Sequence, residues 1–221
     1  MEEIILTKDK FVMSFSGGKD SILALYRMIK EGYEPVALLT TVKKDKDKSW
    51  THGLSNDLLK QVSISIDIPL IVVECNVNNY EAKFEEKLLL AKELGASTCA
   101  FGDIDIECHK QWDIDRCNKA GLTPKFPLWQ ENREKLVHEF IDSGFTTIIK
   151  TVNLKHMNEN FLGKKLTKEV IEDIKLTGSD SCGENGEYHT FVVDGPLFKE
   201  CIEFSNKGVV LRDGYGYLDI E

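Results

Sequence analysis

The sequence predicts an α/β fold, a doubly wound, Rossmann-like parallel sheet followed by a smaller α+β lobe. Three observations predict it. Short apolar, β-branched runs alternate with helix-period patterns through the first half, as expected of a parallel sheet covered by helices. A glycine-rich turn joins the first strand to the first helix. Two prolines in four residues, Pro124 and Pro127, then break the rhythm, because proline cannot sit in a central strand except at its start or edge.

The first strand is read at Phe11 to Phe15 and its helix from Asp20 to about Lys30, with Ile22, Leu25, Tyr26 and Ile29 on one face and Gly32 ending it. A second strand spans Pro35 to Thr41. Ser55 is a good cap for a helix running through Leu58, Val62 and Ile66. The continuously apolar run Pro69 to Cys75 makes a third strand, and Phe84, Leu88 and Ala91 stripe a helix from Tyr80 to Leu94. Ser97 to Phe101 is the fourth strand, ending at Gly102-Asp103, where open parallel sheets place functional loops. A polar-rich helix from Ile106 to Ala120 carries Arg116 and Cys117.

The lobe boundary is placed near residue 128, giving a first domain over 1–128 and a second over 129–221. The second lobe is read as a helix from Gln130 to Ser143, a strand from Phe145 to Val152, a helix from Thr167 to Leu176, and β-like runs at Tyr188 to Val193, Val209 to Arg212 and near the end.

Charge and cysteine usage narrow the function classes. The 221 residues carry a net charge of −9, which argues against an extended nucleic-acid surface. The basic stretch Lys43 to Lys48 is interrupted by Asp45 and Asp47 and reads as a solvated loop. No apolar segment is long enough for a membrane span, and the acidic opening Met1-Glu2-Glu3 does not resemble a leader, so a cytoplasmic protein is expected. Six cysteines without a Cys-x-x-Cys pair read as reduced thiols, and Cys108-His109 with Cys117 fits no common zinc spacing.

Ser16-Gly17-Gly18-Lys19-Asp20-Ser21 lies between the first strand and its helix. The two glycines let backbone N–H groups of Gly17, Gly18 and Lys19 approach an anion, and the helix dipole favours negative charge. Ser16 and Ser21 add hydroxyl donors, while Lys19, read as a solvent-facing loop residue, offsets phosphate charge. Asp20 serves equally well as a dipole-matched acid or a magnesium ligand. A mononucleotide P-loop is excluded, since Met13 stands where its first glycine belongs and Asp20 follows the lysine. The hexapeptide resembles the phosphate loop of the N-type ATP pyrophosphatases, which cut ATP to AMP and pyrophosphate. Adenine is then expected over the ends of the first two strands near Leu39, Thr40 and Thr41, with Gly102 and Asp103 facing the same crevice.

A second dense polar stretch, Cys182-Gly183-Glu184-Asn185-Gly186-Glu187-Tyr188-His189-Thr190, offers carboxylates able to hold an ammonium group, ammonia or a metal. Both motifs, with Phe101-Gly102-Asp103-Ile104, Arg116-Cys117, Pro127-Leu128-Trp129 and Gly144-Phe145, resemble the diphthine–ammonia ligase family over most of the chain. The resemblance implies a nucleotide α-hydrolase (HUP) first lobe that binds ATP and a family-specific second lobe. It implies adenylation of the diphthine carboxylate on elongation factor 2, then displacement of AMP by ammonia, with Mg2+ on the phosphates.

Carried over by position, Lys19, Asp103, Glu184, Glu187 and His189 are the expected catalytic residues. Ser16 to Ser21, Leu39, Thr40, Thr41 and Gly102 are expected to bind the nucleotide, and Arg116, Trp129, Glu187 and Thr190 the acceptor. Nitrogen is expected as free ammonia or from a partner, and a homodimer is one assembly the sequence leaves open. In a host without diphthine the acceptor would be another carboxylate. Sulfur transfer to a tRNA base and ATP binding without chemistry are the alternatives; paired cysteines and a basic surface for the first are not evident, and the second sits poorly with Lys19 and the acids being present.

Overall fold

A computed structural model of the chain describes residues 9–44, 48–50 and 52–221. The opening Met1-Glu2-Glu3, the acids Asp45 and Asp47 of the basic stretch, and Thr51 lie outside the described residues.

The chain alternates β1 (Lys10–Ser14), α1 (Lys19–Lys30), β2 (Glu34–Lys43), β3 (Lys48–Ser49), α2 (Asn56–Ser65), β4 (Leu70–Cys75), α3 (Tyr80–Glu93), β5 (Thr98–Ala100), α4 (Glu107–Ala120) and β6 (Thr123–Lys125). After these come α5 (Arg133–Asp142), β7 (Thr146–Asn153), α6 (Lys168–Leu176), β8 (Tyr188–Asp194), β9 (Asn206–Arg212) and β10 (Tyr215–Ile220). The predicted α/β architecture is present.

In the first sheet β1 pairs in parallel with β2 on one side and β5 on the other, β5 pairs with β6, and β4 pairs with β2. Leu38 and Leu39 face both β1 and β4, so β4 lies on the edge away from β1. Chain order therefore reverses between β1 and β5, the switch point at which open α/β sheets form a ligand crevice. Two short strands are absent from the sequence reading. β3 is a two-residue antiparallel return on the end of β2, and β6 contains Pro124, which the sheet accepts because β6 is an edge.

The helices wind on both faces. Phe84, Leu88 and Ala91 of α3 and Cys117 and Ala120 of α4 pack on one face with Val12, Leu39 and Val73. On the other, Ile22, Leu25 and Met28 of α1 and Leu58 and Val62 of α2 pack against Phe11, Met13 and Leu38. This second cluster continues without a break into Phe140 of α5, Ile149 of β7, Ile174 of α6 and Phe191 of β8.

The second sheet is antiparallel in the order β8-β7-β10-β9. Its β8 edge is fastened to the glycine-rich loop after β1: the Val192 N–H donates to the Gly17 carbonyl at 3.0 Å, and the Lys19 N–H donates to the Thr190 hydroxyl at 3.0 Å. Arg27 of α1 adds a bridge to the segment after β6, donating to the Pro127 carbonyl at 2.8 Å and to Glu139 at 2.9 Å. Two sheets thus close on one crevice.

Candidate active site

A cleft of about 590 Å³ opens at the carboxyl ends of β1, β2 and β5, roofed by the loop before β8. Ser16, Lys19, Asp20, Ser21, Leu39, Thr40, Thr41, Gly102, Asp103, Glu184, His189 and Thr190 all line it. Residues separated by up to 174 positions in sequence meet because β8 docks on the loop that ends β1.

The loop's geometry follows from its glycines. Gly17 has φ +81°, a left-handed conformation that only glycine adopts without strain. A Cβ at Gly18 would meet the His52 ring at 2.4 Å, and one at Gly102 would meet the Ser21 nitrogen at 2.9 Å. Backbone segments therefore approach closely at the crevice floor. The Ser21 hydroxyl donates to the Gly18 carbonyl at 3.0 Å and takes a bond from the Ser16 hydroxyl at 3.1 Å, which closes the loop into a ring.

Two of the three N–H groups expected to cradle an anion are already engaged. That of Lys19 goes to Thr190, and that of Gly18 goes to the Ser16 hydroxyl at 3.3 Å. Both serine hydroxyls donate within the loop, so the anion-facing donors that remain are the N–H groups of Gly17 and of Asp20 and Ser21 in the first turn of α1. Lys19 also differs from the expectation of a solvent-facing lysine, since it is 4% exposed. Its ammonium lies 2.8 Å from Asp20 and 5.5 Å from the centre of the Tyr188 ring. Burial opposes its charge, but Asp20, helped by Cys182, Tyr188 and Glu184, prevails and holds its pKa well above the ordinary lysine value.

Acids crowd the opposite wall. Burial, then the Asp20 charge, pushes Glu184 up to about 8. Burial raises Asp103, with His109 3.6 Å away opposing, and burial together with Asp103 raises Asp113 strongly. Asp20, Glu184 and the Cys182 sulfur present ligand atoms within 4.8 Å of one another. The two carboxylates suit a hard cation such as Mg2+, whereas the buried thiol, its pKa raised well above normal, does not.

Two histidines form the third wall. The His52 Nδ1 lies 2.7 Å from the Thr190 carbonyl, which accepts only, so Nδ1 carries the proton. Burial, then His189, lowers His52 to about 3, and burial with Lys19 lowers His189 to about 4; their rings are 5.0 Å apart. Both are neutral at pH 7. The sequence reading assigned a site role to neither His52 nor Asp113. Neither carries a spacing signal, because each reaches the cleft through tertiary contact alone.

Gly17 and Gly18, expected at the nucleotide, shape the loop without lining the cleft, and three expected side chains stand elsewhere. Glu187, expected to be catalytic and to bind the acceptor, is buried behind the cleft, where its carboxylate accepts from the Asp180 and Asn185 N–H groups, each at 3.0 Å. It shapes the loop that presents Glu184. Arg116, expected at the acceptor, is buried in α4 and pairs with Glu81 and with Glu85 of α3, the latter at 3.0 Å. Trp129, expected beside it, packs on Phe126 under the Lys110 ammonium at 4.1 Å. An unforeseen organiser is Arg133, which grips Asp105 through two bonds of 2.7 Å and Asp180 through one of 2.8 Å. It ties the loop after β5 to the loop before β8.

Residues 9–124 match the family model described as the diphthamide synthase N-terminal domain, and residues 132–221 that of the diphthamide synthase C-terminal domain. The chain is 29% identical over 220 residues to a diphthine–ammonia ligase of Schizosaccharomyces pombe, covering 88% of this chain. It spans only 36% of that relative's length. Diphthine–ammonia ligases of Homo sapiens and Mus musculus are 28% and 26% identical, each over 93% of this chain and 86% of the relative. A solved structure described as a predicted subunit of tRNA methyltransferase from Methanocaldococcus jannaschii overlays 86% of this chain and 98% of its own, with a TM-score of 0.47 and 16% identity, a likeness too loose to inform function.

Proposed function

The chain belongs to the diphthamide synthase family, and from that premise we propose that it is an ATP-dependent carbon–nitrogen ligase. It adenylates a carboxylate, releases pyrophosphate, and passes the acyl group to ammonia with release of AMP; by its family the acceptor is diphthine of elongation factor 2. The observation that carries this reading is the meeting of the Ser16–Ser21 loop and the Glu184-His189-Thr190 wall across one cleft. A phosphate loop alone binds nucleotide; a second wall of polar groups facing it supplies a place for an acceptor.

The α1 amino terminus binds the phosphates on a loop that the Ser16 and Ser21 hydroxyls hold closed, and the Lys19 ammonium stabilises charge growing on departing pyrophosphate. The purine lies against Leu39, Thr40 and Thr41. Asp20 and Glu184 fit a magnesium ion, which when bound would neutralise phosphate charge. The His189 ring, neutral and too weakly basic to hold a proton at pH 7, orients ammonia by accepting its hydrogen bond. Attack forms the C–N bond and breaks the bond from the acyl carbon to the AMP oxygen. The proton lost by nitrogen passes to Asp103, whose raised pKa suits it to receive one. Activation is needed because a bare carboxylate would have to expel oxide, whereas the adenylate expels a phosphate monoester. Sulfur transfer is disfavoured by the protonated, buried thiol of Cys182.

Incubation with ATP, Mg2+, ammonium and diphthine-bearing elongation factor 2 should yield AMP and pyrophosphate in equal amounts with a diphthamide product. The Lys19→Met variant should lose about 10²–10³ in turnover. Release of ADP and phosphate would rule out the reaction class, and AMP release with only another carboxylate would rule out the acceptor.

A further inference from the structure

We propose that β9 is the contact strand of a symmetric dimer, pairing antiparallel with β9 of a second copy of this chain. All seven residues of Asn206–Arg212 are exposed, and Val209, Val210 and Leu211 are 49%, 44% and 55% exposed. The opposite edge of the same sheet is treated differently: β8 gives its Val192 N–H to Gly17, and its Val193 carbonyl accepts from the Ile202 N–H. An apolar strand edge that no described residue covers is a template for another strand.

Hydrogen-bond parity restricts how two copies can meet. Asp213 and Gly214, with φ of +54° and +79°, form a two-residue hairpin turn, which makes the flanking pair Arg212 and Tyr215 a hydrogen-bonded one. Alternation then directs the main-chain groups of Arg212 and Val210 toward β10 and those of Leu211 and Val209 outward. An antiparallel partner must set outward residues against outward residues. The dyad consequently falls on a residue, not between two. Centring it on Val210 sets Val209 against Leu211 of the other copy and Val210 against Val210, so that each of the three apolar residues meets an apolar one. Centring it on Val209 sets Gly208 against Val210 instead. A bulge opposite Asp219 and Ile220 ends the alternation at Gly208, so Lys207 has no facing residue fixed by parity, although its end of the strand lies nearest the Asp213 turn of the other copy. Apolar matching selects Val210.

A second copy is favoured over an unrelated partner because one short segment supplies matched apolar and main-chain groups to itself, and places Lys207 and Asp213, which also pair with Glu221 and Arg212 of their own chain, at each other's ends. The patch is small beside the roughly 800 Å² per partner of a standard interface, so the dimer should be reversible. Association would join the two second-lobe sheets into one of eight strands, leaving the clefts at a distance from the dyad.

Sedimentation of the full chain should show a monomer–dimer equilibrium that shifts with dilution, and Leu211→Glu should raise its dissociation constant at least tenfold. In a Cys108→Ser, Cys201→Ser background, Val210→Cys should form a disulfide-linked dimer under mild oxidation, since a non-hydrogen-bonded dyad pair brings its Cβ atoms within about 5.5 Å. A monomer at all concentrations, or a dimer that Leu211→Glu leaves intact, would overturn the proposal. So would a monomer whose Leu211→Glu variant loses only turnover of elongation factor 2, which would assign the strand to the acceptor protein.

Discussion

His52 shows how a single side chain records its surroundings. It is 8% exposed, its ring rests against Gly18, and its Nδ1–H is committed to the Thr190 carbonyl. With its pKa lowered from 6.5 to about 3, only the unfolded chain takes up a proton between those values. Stability from this residue is therefore complete above pH 6.5 and declines as pH falls toward 3. At 1.36 kcal/mol per pH unit, the fall from pH 6.5 to 5 amounts to about 2 kcal/mol. Denaturant titrations of the parent and of His52→Gln should diverge by that slope over this interval, the variant being the flatter; parallel curves would show the ring titrating freely. Glu187 carries the complementary lesson. Its pKa is lowered although burial works to raise it, because hydrogen bonds from Asp180 and Asn185 prevail, which is the signature of a loop-holding carboxylate.

Among the elements, α1 matters most, because its first turn is both the proposed phosphate site and the place that the loop after β5 approaches. Gly102 of that loop lies beside it, and an added Cβ would meet the Ser21 nitrogen at 2.9 Å and the Asp20 carbonyl carbon at 3.0 Å. Main-chain atoms at the start of a packed helix cannot swing aside as a side chain can. Gly102→Ala should cost about 1–3 kcal/mol of stability and weaken nucleotide binding together, measured by chemical unfolding and by calorimetric ATP titration. Unchanged affinity would mean that the first turn is not where phosphate binds. Arg133 works at the same scale, since its fork holds the Asp105 loop and the Asp180 loop in one register.

At the scale of the whole molecule, one apolar cluster runs from Phe11 through α1 to Phe191 and Ile220. Met13 in the first sheet and Ile149 in the second both belong to it and are fully buried. A continuous core leaves no apolar boundary along which the sheets part cheaply, so native-state hydrogen exchange should assign the Met13 and Ile149 amides the same opening free energy. A second sheet that exchanges separately would make the bonds of Val192 and Thr190 to the glycine-rich loop after β1 a docking contact and not a shared core. No helix among the described residues is long and apolar enough to cross a membrane.

Sequence by itself determined the elements whose cause is local. The apolar spacing of α1, the Ser55 cap of α2 and the glycine-rich turn after β1 each act within a few residues, and each is present. The strands β3 and β6 were illegible because two or three residues carry no period, and Pro124 argues against a strand until the edge position is known. Of the site, the lining residues of the two motifs were legible as residue types. Tertiary structure alone decided that Glu187 turns inward, that Arg116 and Trp129 pack among helices, and that His52 and Asp113 reach the cleft. Which way a side chain faces depends on neighbours far along the chain, and on burial and charge that exist only once β8 lies against the loop after β1.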